Sequence, residues 1–440
     1  MKQLFLTQRF FLLFGAVMTL FLLAFPFGFL FGVAKVFFAI AVALIVVDGV
    51  LLFYKKNQVE GQRLTPKLLS LSDANRVRLV VKNNAKFWLK ISIIDELPFQ
   101  LQRRDFSLST QLKAGETQQL NYEVRPTERG VYEFGRLNVF TTTRLGFLQR
   151  LFVCAEPMNV PTYPSVIQMR QFELKTMRRI AQQAGSRKVR RIGHSYEFEQ
   201  IKNYVPGDDY RTINWKATSR TNTLMVNLYE DERSQQVYCI IDKSRAMHAP
   251  FNELSLLDYS INAVLALSNI VLRKKDKVGL ISFSDKIGSS LAADDATQQL
   301  PLILNALYKE IPGKGEADYT ILYRAVRQLV KTRSLLLLFT NFESETAMER
   351  VLPLLRLINR QHLLLVVFFR NTEVEDFEKS PTITTDDIFT QTIARQYIDD
   401  KKSIYNKLQH YGIQTILTTP QDLTANTINR YLELKERGMT

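Results

Sequence analysis

Leu335-Leu336-Leu337-Leu338-Phe339-Thr340 is the stretch whose reading decides the fold of the second half of this chain. Five large apolar residues in a row, ending at polar Thr340 and Asn341, suit a strand covered on both faces, since a half-exposed strand would alternate. The same reading applies outward in both directions. Upstream, Val237-Tyr238-Cys239-Ile240-Ile241 ends at Asp242, and Val278-Gly279-Leu280-Ile281-Ser282-Phe283 follows a helical pattern near 255–273. Downstream lie Leu363-Leu364-Leu365-Val366-Val367-Phe368-Phe369 and Ile413-Gln414-Thr415-Ile416-Leu417. Helices are expected near 296–310, 319–331, 345–359, 386–410 and 421–437. Apolar strands alternating with helices predict a doubly wound α/β domain over 236–440, whose ligands sit beyond the carboxyl ends of the strands.

Those ends carry Asp242-Lys243-Ser244-Arg245-Ala246 and Thr340-Asn341, while Asp318-Tyr319-Thr320 opens a helix between them. Asp242, Ser244, Thr320 and Asn341 are hard oxygen donors suited to Mg²⁺ or Ca²⁺. One carboxylate is a low charge count, so such a site holds a divalent ion weakly unless a partner supplies another.

Before this domain, residues 57–162 switch to period-two patterning. Val77–Val81, Trp88–Ile93, Gln119–Val124 and Gly135–Phe140 alternate, and are broken at Asn83-Asn84, Ala114-Gly115-Glu116 and Arg129-Gly130. A small antiparallel sandwich is expected, with no carboxylate pair or His cluster that would make it catalytic.

Residues 1–56 are of another kind. From Phe10 to Ala34 there is no charged side chain, and 12 of the chain's 29 Phe fall within the first 54 positions. About 20 apolar residues span a bilayer, so two spans are expected, near 9–28 and 33–54. Asp48 stands inside the second, close enough to its end to reach the interface or a partner helix. Lys2 and Arg9 before the hairpin, and Lys55, Lys56, Arg63 and Lys67 after it, place both flanks and the bulk of the chain in the cytoplasm. Two cysteines, Cys154 and Cys239, exclude a disulfide framework and a four-thiolate zinc site.

The formal net charge of +15 is concentrated. Residues 55–235 carry 30 positive against 18 negative side chains, whereas 236–440 carry 25 against 24. Within the segment 163–235, a basic arm over 170–191 includes Arg178, Arg179, Arg187, Lys188, Arg190 and Arg191, opposed by Glu173 alone. Beside an apolar hairpin it suits anionic lipid headgroups. No stacking aromatics interleave with it and no helix-turn-helix or zinc-finger pattern is present, which argues against nucleic acid.

The rest of that segment holds a turn-rich connector. In Tyr204-Val205-Pro206-Gly207-Asp208-Asp209, Pro206 and Gly207 suit the two central positions of a type II turn. Asp208 and Asp209 then serve either as paired catalytic carboxylates or, more ordinarily, as acceptors for their own turn with Arg211 as ion-pair partner. Trp215 is expected to pack in a core.

This central block, with Glu197, Phe198, Pro206, Gly207, Asp208, Asp209, Arg211, Trp215 and Arg220, resembles the signature of domain-of-unknown-function family 58. The likeness extends to the hairpin, to Arg129–Tyr132 and Arg144–Leu148 of the β-domain, and to the α/β part. It implies a von Willebrand factor A-like fold anchored in a bacterial inner membrane and a partnership with MoxR-type AAA+ ATPases. It also implies a metal-ion-dependent adhesion site beginning Asp-x-Ser-x-Ser. Asp242 and Ser244 match, Thr320 suits the threonine, but Ala246 and Asn341 depart from the pattern, so metal is expected to be weak or absent. Asn214 stands where the family usually has Asp.

An interaction or adaptor protein, not an enzyme, is therefore the leading expectation, serving the assembly, maturation or stress response of other proteins. The alternatives are a metal-dependent hydrolase using Asp242 with Asp208 and Asp209, and a lipid or nucleic-acid binder acting through the arm. No G-x-S-x-G elbow and no phosphate-cradling P-loop occurs, and the four His lie far apart.

Overall fold

The structure, a computed structural model, describes residues 4–25, 27–183, 197–206, 208–230, 234–252, 254–381 and 385–438. The expected segments are 1–56, 57–162, 163–235 and 236–440, and by contacts the chain divides into two compact units, Met1–Ser165 and Val166–Thr440.

In the first unit a short strand β1 (Leu4–Leu6) leads into two helices, α1 (Gln8–Ala24) and α2 (Gly28–Phe53). The turn is tighter than expected, and α2 begins five residues before position 33. Their seam is built from small residues, with Ala24 of α1 and Ala34 and Ala41 of α2 buried, so the backbones approach closely. Phe21 packs edge-on against Phe31 and Phe38. At 26 residues, about 39 Å at 1.5 Å per residue, α2 is long and apolar enough to cross a membrane. α1 is apolar but has 17 residues.

The strands that follow are β2 (Val59–Leu64), β3 (Leu69–Ser70), β4 (Asn75–Asn83), β5 (Leu89–Asp95), β6 (Ser107–Leu112), β7 (Thr117–Val124), β8 (Gly130–Phe134), β9 (Leu137–Thr142), β10 (Leu148–Ala155) and β11 (Met158–Tyr163). They form sheets of order β1-β10-β9-β5-β6, β2-β4-β7 and β3-β11-β8. All pairings are antiparallel except the two-residue contact of β3 with β11. Alternate residues face one core: Val77, Leu79 and Val81 from β4, Leu89, Ile91 and Ile93 from β5, and Phe134 from β8. A charged network crosses it. Buried Arg63 of β2 donates to both oxygens of Asp95 on β5, and the Tyr122 hydroxyl of β7 donates to Asp95 Oδ2 at 2.5 Å.

The β-domain grips the hairpin, which accounts for Asp48. The carboxylate lies on the same seam as Ala34 and Ala41, at seven-residue spacing, and is fully buried. It accepts the Thr143 hydroxyl and, on Oδ2, the backbone N–H groups of Phe147 and Leu148, both at 2.8 Å. Arg150 donates to the carbonyls of Leu52 (2.8 Å) and Lys55 (3.0 Å), and Gln58 donates to Leu51, so the carbonyls at the end of α2 find partners. The start of α1 is held by the same loop, because Thr7 donates to Gly146 O and β1 pairs with β10. Loop 143–148 thus forms a collar around both helix ends.

The second unit starts with α3 (Val166–Gln183), then a hairpin of β12 (Glu197–Asn203) with β13 (Met225–Glu230) enclosing the short α4 (Trp215–Thr221). Next come β14 (Gln236–Asp242), a minimal pair β15 (Pro250–Phe251) and β16 (Leu254–Ser255), α5 (Leu256–Arg273), β17 (Lys277–Phe283), β18 (Ile287–Asp294), α6 (Gln299–Lys309) and α7 (Tyr319–Leu329). β19 (Leu335–Phe339), α8 (Glu345–Gln361), β20 (Leu363–Phe369), α9 (Thr372–Glu378), α10 (Thr385–His410), β21 (Gln414–Thr418) and α11 (Leu423–Glu436) complete it.

The six-stranded sheet has the order β18-β17-β14-β19-β20-β21, parallel except for β18. Each apolar run serves both faces. Leu335, Leu337 and Phe339 of β19 face the α5 layer, while Leu336 and Leu338 face α7, α8 and α10. β18 was not expected, because its exposed edge alternates and its apolar set is only Ile287, Leu291 and Ala293. α5 is as apolar as a membrane span, but it is buried in this core. α3 packs on α5, where Glu173 accepts from Asn269 at 2.9 Å and pairs with Arg273 at 2.9 Å. Much of the expected basic arm is therefore a helix of the α/β unit. The side chains of Arg178 and Arg179, and the whole of Arg187, Lys188, Arg190 and Arg191, lie outside the described residues.

Candidate functional site

Parallel strands bring the residues after β14 and β19 together at the carboxyl edge of the sheet, on either side of the point where the strand order reverses. Asp242 ends β14 and is almost fully buried. Its Oδ1 accepts Ser244 N at 2.8 Å, and its Oδ2 accepts the Thr340 hydroxyl at 2.7 Å, which is also 2.8 Å from the Tyr319 hydroxyl. Burial pushes the Asp242 carboxyl up despite these bonds.

Asn341 points elsewhere. Its amide donates to Ala246 O at 3.2 Å, and its Oδ1 accepts Lys401 Nζ at 2.7 Å. Lys401 reaches in from α10, donates also to Phe342 O, and lies over the rings of Phe368 and Tyr397. Burial pushes its ammonium down to about 7. Thr320 is exposed at the start of α7, its backbone N–H bonded to Asp318.

Of the four expected ligands the structure brings Asp242 and Ser244 together, while Asn341 bonds Ala246 and Lys401 and Thr320 is exposed at the start of α7. The single carboxylate already has protein donors on both oxygens, and the residue in the place of a second carboxylate is an amide bonded to an ammonium. Among the described residues, no group of three or more His, Cys, Asp or Glu is placed to hold a metal.

Lys401 is the residue that sequence reading missed. Its signal was present: Ala394, Tyr397, Lys401, Ile404 and Leu408 share one helix face, a stripe expected to be apolar throughout.

The hairpin block has its own geometry. The Asp208 N–H donates to Val205 O at 2.9 Å, closing the turn. Asp208 accepts Lys202 Nζ at 2.8 Å and Val205 N at 3.0 Å, and the Lys202 bond holds its carboxyl below the usual range. Asp209 accepts Arg211 N at 2.9 Å and caps a short helical turn. Asn214 caps α4 by accepting Ala217 N, and its amide donates to Asn227 at 2.8 Å. A carboxylate there could not donate that second bond. Trp215 corrects an expectation: it is 71 % exposed. Pro206 and Arg220 are exposed, the side chains of Glu197 and Phe198 lie outside the described residues, and so does Gly207.

A further exposed apolar surface belongs to the strand-end side. Since Lys401 meets the loop after β19, the half of α10 that precedes it continues past the strand ends. That half exposes Ile388 (56 %), Phe389 (69 %) and Ile393 (67 %). Gln391 ties it to α9 through the carbonyls of Phe377 and Ser380.

The second unit is thus a doubly wound α/β domain with an amino-terminal hairpin block. Residues 200–386 match the family model described as "Protein of unknown function DUF58", in agreement with the expected family. An uncharacterized protein, YeaD of Bacillus subtilis (strain 168), is 24 % identical over 204 residues, covering 44 % of this chain and 50 % of the relative. The chain therefore spans about half the length of that curated relative. Among solved structures, the SpRpn10 VWA domain is similar at 12 % identity and TM-score 0.28, covering 45 % of this chain and 95 % of that one. BatB of Bacteroides thetaiotaomicron is similar at 14 % identity and TM-score 0.24, with 32 % and 68 % covered.

Proposed function

We propose that this chain is a membrane-anchored cytoplasmic adaptor of the inner membrane. In this reading its von Willebrand factor A-like unit presents the strand-end face to a MoxR-type AAA+ ATPase or to that ATPase's client. The observation that carries the reading is the exposed ridge Ile388, Phe389 and Ile393 standing beyond the strand ends. Large apolar side chains held out on a rigid helix are costly in water and are characteristic of docking surfaces. The long apolar α2 and the collar that holds it support the anchor, and the basic flanks support the orientation.

A divalent ion has a place here only if a partner's carboxylate joins Asp242 and Ser244. The hydrolase reading is the weaker one, because Asp242, Asp208 and Asp209 are all occupied by structural donors. The experiment is a pull-down from solubilised membranes with wild type and an Ile388→Glu/Phe389→Glu/Ile393→Glu variant, with and without Mg²⁺. An AAA+ ATPase recovered with wild type and lost with the folded variant supports the adaptor. Equal recovery, or none with wild type, overturns it.

A further inference from the structure

The two helices of the first unit leave a groove at the end nearest the β-domain. It has a volume of about 240 Å³ and is walled entirely by apolar side chains, among them Phe10, Phe14 and Val17 of α1 and Phe38, Val42 and Val46 of α2. Ala41, small and on the helix seam, forms part of its wall. From Phe10 to Val17 the groove follows α1 for about 11 Å at 1.5 Å per residue, the depth of the upper half of an acyl chain.

Its mouth is basic. Arg9 immediately precedes Phe10 and is exposed, with Nη1 3.4 Å from Leu145 O. The guanidinium lies against Gly146, where a Cβ would stand 3.1 Å from Nη1 and where φ is +76°. Only glycine leaves that space without strain. Arg144, two residues before Gly146, is exposed, and no ion pair engages it among the described residues. Lys55 and Lys56 follow the end of α2, where their carbonyls accept from Arg150 of β10 and the Lys55 ammonium lies 3.4 Å from Asn84 O. The Asp48 carboxylate inside the collar is buried and bonded to Thr143, Phe147 and Leu148.

We propose that this groove and collar bind one anionic phospholipid, with an acyl chain lying between α1 and α2 and the headgroup phosphate held by Arg9 and Arg144. The charge at the mouth selects this occupant. An apolar groove alone would accept a partner helix or any lipid, but the Arg9 guanidinium at its rim and the exposed Arg144 on the collar loop suit a phosphate. The inference rests on the membrane anchor of the proposed function and not on the AAA+ partner. It also moves the expected lipid contact from the arm at 170–191 to the collar.

The full chain is extracted in detergent, delipidated and reconstituted into nanodiscs of phosphatidylcholine containing a minor fraction of phosphatidylglycerol. Native mass spectrometry after release then reports the bound lipid, and carbonate extraction of the source membranes reports the anchor separately. One phosphatidylglycerol per chain is expected, enriched at least tenfold over phosphatidylcholine. Arg9→Ala/Arg144→Ala should abolish the enrichment, and Val42→Trp, which fills the groove, should remove the bound lipid altogether. No enrichment in a chain that resists carbonate, enrichment unchanged by both variants, or a second transmembrane chain seated in the groove would each overturn the site. Release by carbonate would overturn the anchor and the lipid site with it.

Discussion

Asp48 and Asp242 are both aspartates buried almost completely, one in each unit, and they do different things. Asp242 accepts from its own neighbour two residues on and from a hydroxyl at the adjoining strand end. It tidies the end of a sheet that its apolar strands already hold together. Asp48 accepts from three donors 95 to 100 residues away and so joins α2 to the loop before β10. The motif drew attention to Asp242, while Asp48 read as an oddity near a helix end. A buried carboxylate is consequential when its donors lie on a different element, because removing it then leaves N–H groups unpaired as well as cutting a connection.

The largest test of this contrast is Asp48→Ala. It should destabilise the first unit by about 3–5 kcal/mol, since two backbone donors and a buried hydroxyl lose their acceptor. Thermal unfolding in detergent and protease cleavage near 54–58 would read it. A loss no larger than that of Asp242→Ala would break the comparison.

Lys401 comes next, as the strand-end face's own long-range charge. Its folded pKa of about 7 lies below its unfolded value, so between the two the unfolded chain binds the extra proton. Stability therefore rises with pH from about 7 toward 10, by on the order of 2 kcal/mol relative to Lys401→Met. Denaturant midpoints of the two proteins across that range check the sign, and parallel curves would refute it.

Asp242→Asn should have a smaller effect. Because the folded pKa is raised, the proton stabilises the fold at low pH, and that contribution is lost as pH rises through the folded value. The Asn variant should be more stable than wild type at neutral pH and converge with it in acid, as read from denaturant midpoints of the two proteins. Smallest of all, Trp215→Ala should change stability by less than about 0.5 kcal/mol, because the indole is mostly in water. A larger loss in a melting curve would mean that it packs against something.

Much of the architecture was legible beforehand. The runs 237–241, 335–339 and 363–369 could only be buried strands, and their α/β alternation implied a parallel sheet. The alternation in β4, β5, β7 and β9 was legible too, but β18 and β6 were not, because a strand whose core-facing positions are mostly small or polar gives no apolar alternation to read. Trp215 was misjudged because apolarity alone does not say which side of a small hairpin a side chain takes. The candidate site was half legible. Asp242 and Ser244 follow from local order along one strand end, whereas the ammonium that holds Asn341 arrives 60 residues later on another helix.

The sequence by itself determined where the chain must hide from water: the apolar pair at 8–53, the alternating strands and the unbroken ones. Apolar burial is non-directional and roughly additive along the chain, so patterning is enough to read it. Only the tertiary structure decided the fate of the charges. Asp48 finds loop 143–148, Arg63 finds Asp95 and Lys401 finds Asn341, each through directional bonds that exist only once distant segments have met. Whether a buried charge joins two elements or merely completes one depends on those partners, and no local pattern encodes them.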